Sequence, residues 1–309
     1  MIKAPAQEYF GWQAHQHAPD TGMWIWAHRG ARSVAPENTL AAAQAAVEQQ
    51  AHGWELDVQM TKDGQLVVLH DFALRRVTDI ARTKDFPDRR QHVISALTRA
   101  ELSLLDAGSW FARRDPFGTV AGGQVSRAQC EHFAGESVPD LDQAVAWTRS
   151  TPLGLNIEIK GPPGRVDLAL AEAVAHAVRC AQMPGRILIS SFTFGYLAQI
   201  KTIDAQLPLA WLLTRRDCDQ PWAKLIDTAL GIPVGAVHLP LAGLGPGMTA
   251  ALHKAGLLVQ VYTVNSPDHL LWLALEGVDG VFTDFPGQAR AVLGSRALHA
   301  GHSQKQGMQ

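Results

Sequence analysis

The sequence predicts an α/β fold: a closed (β/α)8 TIM barrel with a small insertion after a hairpin on its second strand. Three observations point there. Short apolar runs beginning near residues 24, 54, 155, 187, 209, 236, 258 and 280 are mostly separated by helical patterns such as "VDLALAEAVAHAVRCAQ" and "SPDHLLWLALEG". Alternating strands and helices imply a parallel sheet, and eight strands are the number that closes such a barrel. A further run, "QLVVLH" at Gln65–His70, follows the second strand after only "TKDG". That link is too short for a parallel crossover and suits an Asp-Gly hairpin, so the run is an antiparallel arm and not a barrel strand. The competing open, doubly wound sheet expects G-x-G-x-x-G after its first strand, whereas "HRGARSVAPENT" has no second or third glycine.

The 309 residues, 47% hydrophobic and 18% charged, suffice for one large core. A net charge of -2 and a pI near 6.7 give no basic footprint, so no nucleic-acid partner is expected. Residues 1–23 read as a polar leader without a continuous apolar region, and no run reaches the roughly 18–20 apolar residues of a membrane span, so stable membrane insertion is not expected. The first strand, from Trp24, stops on His28-Arg29-Gly30, where Gly30 is expected to turn the chain away without crowding a ligand. "NTLAAAQAAVEQQAHG" is a helix capped by Asn38 or Thr39 and closing near Gly53, which leaves "PENT" a folding role. "WELDVQM" is the second strand. Residues 72–135, with a helix-like "LTRAELSLLDAGSWF", do not fit a strand-helix unit and read as an insertion on the rim, where long segments commonly shape access to a site. The barrel domain is expected to span 24–290 and a loose tail 291–309, with His15, His17, His299 and His302 as solvated bystanders. Cys130, Cys180 and Cys218 are odd in number and far apart, which suggests neither a disulfide framework nor a thiolate zinc site and fits the reducing cytoplasm.

Polar residues gather where the barrel strands end. Glu55 and Asp57 are two apart and share a strand face, an arrangement easiest to explain by a cation or donors between them. Counting back from a two-residue Asp63-Gly64 turn pairs Val58 with Leu69 and Asp57 with His70, while a turn wider by one residue at each end places His70 opposite Glu55; either sets the imidazole beside the acids, and a one-residue slip would not. Glu158 and Lys160 repeat the device just before a Pro/Gly loop. Three carboxylates without a thiolate suit a hard divalent ion, Mg2+ or Ca2+. His28 and His70 offer an acid and a base near neutral pH, and Arg29 and Lys160 could hold an anion, a combination that fits phosphate ester chemistry.

Taken in order, "AHRGARSVAPENTLAA", "ELDVQMTKDGQLVVLHDFALRRVTD", "LTRAELSLLDAGSWF", "VPDLDQAV", "NIEIK", "SSF" and "VYTVNSPDHLLWLALEGVDGVFTDFP", from about Trp24 to Pro286, resemble the glycerophosphodiester phosphodiesterases. The resemblance implies a TIM barrel that hydrolyses deacylated phospholipids to sn-glycerol 3-phosphate and an alcohol. It implies Glu55, Asp57 and Glu158 as metal ligands, His28 and His70 as the acid/base pair, and Arg29 and Lys160 as the phosphate clamp. His28 is assigned to activate the nucleophile and His70 to protonate the leaving group. The main departure is Tyr262, where many members have Trp; it keeps an aromatic wall for the substrate pocket and adds a hydroxyl. Phospholipase D-type cleavage of intact lipids is an alternative that would need an apolar or basic membrane-facing rim, and no such stretch is evident. A non-catalytic binder of phosphorylated ligands is another, and it would be expected to lack a metal or histidine position, whereas all are filled.

Overall fold

The computed structural model describes residues 20–295 apart from residues 89, 91, 163 and 233; His15, His17, His299 and His302 lie outside the described residues. Eight parallel strands form the barrel: β1 (Trp24–Ala27), β2 (Gly53–Met60), β4 (Gly154–Ile159), β5 (Ile187–Ser191), β6 (Leu209–Leu212), β7 (Ala236–Pro240), β8 (Leu258–Tyr262) and β9 (Gly280–Thr283). They neighbour one another in this order, and pairing of β1 with both β2 and β9 closes the ring. The arm β3 (Leu66–Val68) lies antiparallel against β2.

Helices wrap the outside. α1 (Leu40–Glu48) follows β1, and the Thr39 side chain caps it by accepting the N–H of Ala42. Between β3 and β4 come α2 (Arg99–Leu102), α3 (Trp110–Arg114), α4 (Arg127–Phe133) and α5 (Leu141–Arg149). Then follow α6 (Leu168–Cys180), α7 (Phe194–Ile203), α8 (Arg215–Cys218), α9 (Trp222–Gly231), α10 (Met248–Lys254) and α11 (Pro267–Leu275). A closing helical stretch covers residues 286–295. It runs past residue 290, Leu293 is fully buried, and Arg290 pairs with Asp20.

Strand alternation sorts the core into two layers. Outward residues such as Leu56, Ile157, Ile189, Val237, Val259 and Val281 pack with Leu170, Leu197 and Leu273 of the helices, each worth roughly 1.5–3 kcal/mol on burial. Inside the ring, Trp26, Leu188, Ala210, Ala236 and Phe282 form a separate plug. Trp26 stacks on Phe282 with centroids 5.9 Å apart. It fits because β2 offers Gly53 beside it: a Cβ there would sit 2.3 Å from the indole.

Residues 72–135 build a second core from Leu74, Ile80, Ile94, Leu97, Trp110 and Phe111. The helix-like run yields only α2 and α3 because Asp106 intervenes, its carboxylate accepting the N–H groups of Gly108 and Ser109.

Candidate active site

A cavity of about 230 Å³ opens at the C-terminal ends of the strands and is lined by His28, Arg29, Glu55, His70, Glu158, Lys160 and Tyr262 among others. Asp57, fully buried, completes the cluster: Glu55, Asp57 and Glu158 each bring a carboxylate oxygen within 4.8 Å of the other two. All eight residues singled out in the sequence therefore meet in one place. None of the described residues between 72 and 135 lines this cavity.

The first strand delivers two of them through an unusual turn. Arg29 is left-handed at φ 57°, a cost of roughly 1–3 kcal/mol for a residue with a side chain. Its backbone N–H donates to Glu55 Oε2 at 2.8 Å, and its guanidinium reaches Glu37 Oε1 at 2.9 Å and Asp57 Oδ2 at 3.3 Å. Gly30, at φ 81°, does not make room for a ligand as expected: a Cβ there would strike Ala42 at 2.6 Å, so its role is to let the loop lie against α1.

"PENT" is more than a helix start. Glu37 is buried and gathers Arg29, Arg32 and Arg76. Burial alone would raise its pKa, but these guanidiniums hold it down at about 2. Asn38 donates its amide to Asp57 Oδ2 at 2.8 Å and accepts the Asp57 N–H at 3.2 Å. Thr39 alone is the cap.

The expected hairpin register is shifted by one residue. Val58 pairs with Val68 and Met60 with Leu66, closing on the three-residue loop Lys62–Gly64 with Gly64 at φ 77°. Leu69 thus faces Asp57, and its N–H donates to the Asp57 carbonyl at 2.9 Å. His70 still reaches the cavity because β3 ends at Val68, beyond which Gln59 Nε2 donates to the carbonyls of Leu69, His70 and Asp71 at 2.7, 3.0 and 3.1 Å and bends the chain inward.

Both imidazoles are oriented by a carboxylate at Nδ1: His28 by Asp284 Oδ1 at 2.8 Å, and His70 by Asp71 Oδ1 at 2.7 Å. Asp284 is itself fixed by Asn265, whose amide donates to Oδ2 at 2.7 Å and whose carbonyl accepts the Asp284 N–H at 2.9 Å. Asp71 is held by Arg76. Desolvation lowers the pKa of both histidines, against the opposing pull of their carboxylate neighbours.

The carboxylate cluster is under electrostatic pressure. Burial, followed by the charges of Asp57 and Glu158, pushes Glu55 well above the usual carboxylate range, and burial raises Glu158 to about 7. Asp57 is driven the other way: burial is outweighed by Arg29 and Lys160. The Lys160 ammonium sits 3.3 Å from Asp57 Oδ1 and in contact with Glu158 Oε1. Glu55 Oε1 is buried without a hydrogen bond, an expense of about 1–3 kcal/mol that a cation between the acids would relieve. The donor set of three hard oxygens fits a divalent ion.

The far wall is aromatic. Tyr262 packs edge-on against Phe192 at 5.9 Å, and its hydroxyl donates to the Leu213 carbonyl at 2.6 Å, so the ring and not the hydroxyl is offered to the cavity. The sequence reading missed Glu37, Asp71, Arg76, Asn265 and Asp284 as supports. Glu37 and Asp284 stand inside the quoted "APENT" and "TDFP", which were the available signals.

Residues 28–288 match the model of the glycerophosphoryl diester phosphodiesterase family. The chain is 31% identical to a glycerophosphodiester phosphodiesterase of Bacillus altitudinis, over 86% of this chain and 96% of that one. It is also 31% identical to a glycerophosphodiester phosphodiesterase of Bacillus subtilis, over 87% and 85% respectively. An Oleispira antarctica phosphodiesterase solved with the product sn-glycerol 3-phosphate superposes with a TM-score of 0.72 at 25% identity, covering 87% of this chain and 96% of that one.

Proposed function

The chain belongs to the glycerophosphoryl diester phosphodiesterase family and hydrolyses glycerophosphodiesters to sn-glycerol 3-phosphate and an alcohol; from that premise we propose how its residues divide the work. The carboxylates of Glu55, Asp57 and Glu158 hold a divalent cation, Mg2+ or Ca2+, and a cation so held supplies polarisation of a phosphoryl oxygen. Charge supports the reading: a bound divalent ion would keep all three carboxylates ionised, and these with Arg29, Lys160 and the ion sum to one positive charge, which a phosphodiester's single negative charge cancels. The observation that carries the assignment is the buried, unbonded Glu55 Oε1 within the acidic cluster.

Arg29 and Lys160 line the cavity and clamp the diester's oxygens against this cluster. His28, with Nδ1 committed to Asp284, takes the proton of the nucleophile at Nε2. His70, with Nδ1 committed to Asp71, gives its Nε2 proton to the alcohol oxygen as the P–O bond breaks. Phe192 and Tyr262 close the apolar side around the glycerol carbons. Among the described residues no helix is long and apolar enough to cross a membrane. We place the enzyme in the cytoplasm, a reading supported by its free cysteines.

The test is a panel of glycerophosphodiesters assayed with Mg2+, Ca2+ and Mn2+, using wild type, His28→Ala and His70→Ala. Each variant should lose at least about 100-fold in release of glycerol 3-phosphate, in the range ordinarily supplied by a positioned acid or base. Full activity in both variants would sink the assignment.

A further inference from the structure

We propose that the departing alcohol is received by a second cleft beside the catalytic cavity, and that this cleft favours an alcohol bearing a further anion, such as a second phosphodiester. The proposal rests on the diester hydrolysis described above. A cleft of about 380 Å³ lies between the β2–β3 hairpin and the start of α6, at the same end of the barrel. Lys160 lines both spaces. Its ammonium pairs with Asp57 and Glu158 on the catalytic side, so the two spaces adjoin at this residue, and on the proposal the alcohol portion of a diester held there extends past it into the cleft.

The charges of the cleft select what can occupy it. Lys62 and Arg165 line it and are exposed, and neither makes a salt bridge with any described residue. Among the described residues the one carboxylate in its lining, Asp167, is already committed to the start of α6, accepting the N–H groups of Ala169 at 3.1 Å and Leu170 at 3.4 Å. Glu101, the acid in the field of Lys62, is engaged by Thr98 in capping α2. Two cations without a salt bridge to any described residue therefore line the cleft, one on the hairpin turn and one ahead of α6. Among the described residues the only aromatic ring in the lining is Phe72, whereas a quaternary ammonium is best held by several aromatic faces. The cleft is thus built against choline and for an anion.

Hydrolysis of the proposed substrate breaks the P–O bond to the anionic alcohol, water supplying the oxygen to phosphorus and a proton to the alcohol. The experiment compares kcat/KM for bis(glycerophospho)glycerol with that for glycerophosphocholine, in wild type and in the double variant Lys62→Glu/Arg165→Glu. Arg165→Gln serves as a milder companion, and the melting temperature reports folding. Wild type should prefer the anionic diester, chiefly through KM, and the preference should weaken with salt. The double variant should cut the ratio of the two kcat/KM values by about tenfold, with Arg165→Gln in between. An unchanged ratio in variants that hydrolyse both substrates would overturn the cleft and leave the diesterase reading intact; no hydrolysis of either by wild type would overturn that reading itself. A charge effect confined to diesters presented on anionic vesicles would assign the cations to a lipid surface and also overturn the proposal.

Discussion

Replacing Asp284 with Asn tests whether His28 acts in the orientation its neighbours impose. Asp284 Oδ1 lies 2.8 Å from His28 Nδ1, and the Asn265 side-chain amide holds both the carboxylate and the backbone N–H of Asp284, so the acceptor is rigid. An Asn can turn its NH2 toward Nδ1, which would expel the Nδ1 proton and spoil the tautomer that leaves Nε2 free as an acceptor. A hydrogen bond to a charged partner is worth about 1.5–3 kcal/mol, and if it is fully realised in the transition state its loss lowers kcat by about 10- to 150-fold. The pH profile separates this from a loss of folded protein. Desolvation lowers the His28 pKa and Asp284 opposes it, so removing the carboxylate charge lowers the His28 pKa further. The acid limb of kcat/KM should therefore move to lower pH. The assay is release of glycerol 3-phosphate, followed by a coupled dehydrogenase, from pH 5 to 9. A kcat/KM within about threefold of wild type, with an unmoved limb, would refute the reasoning.

Two further outcomes concern the barrel itself. Trp26→Ala should cost about 3–5 kcal/mol in urea unfolding, because the indole is fully buried, stacked on Phe282 and seated against Gly53; a loss under about 1 kcal/mol would show that the plug is dispensable. Acid should weaken the fold through His238, whose fully buried ring has its pKa pushed down to about 3 by desolvation. The unfolded chain takes up this proton below pH 6.5 and the folded protein does not, so stability is present above that pH and lost as the pH falls, by about 2 kcal/mol at pH 5. His238→Phe should flatten that part of the urea midpoint's pH dependence, and an unchanged slope would count against it.

The barrel was readable because its strands repeat a simple code: an outward apolar residue at every second position, with the functional residues on the alternate, inward face. All eight parallel strands start within a residue of their expected places. Strand periodicity also placed Glu55 with Asp57 and Glu158 with Lys160 on common faces. It did not place His70, whose position depends on where β3 stops and on Gln59 catching three carbonyls. Nor could local pattern reveal that Glu37 collects guanidiniums from residues 29, 32 and 76, or that Asp284 serves His28 across the closure of the ring. Such pairings belong to tertiary structure. A polar residue near a helix start is explained well enough by capping, as Asn38 was, until the partner comes into view. The short α2 and α3 illustrate the same limit, since apolar spacing alone does not show Asp106 turning to cap the next segment.

The account stands most directly on the acidic cluster as the seat of a catalytic cation. The decisive measurement pairs calorimetric titration of metal-stripped protein with Mg2+ and Ca2+ against turnover of a glycerophosphodiester, in wild type and in Glu158→Gln. Wild type should bind one cation per chain and regain activity as the site fills, while Glu158→Gln should lose cation binding and turnover together. Full hydrolysis by protein held in excess EDTA, or undiminished turnover by Glu158→Gln after its cation binding is lost, would contradict it.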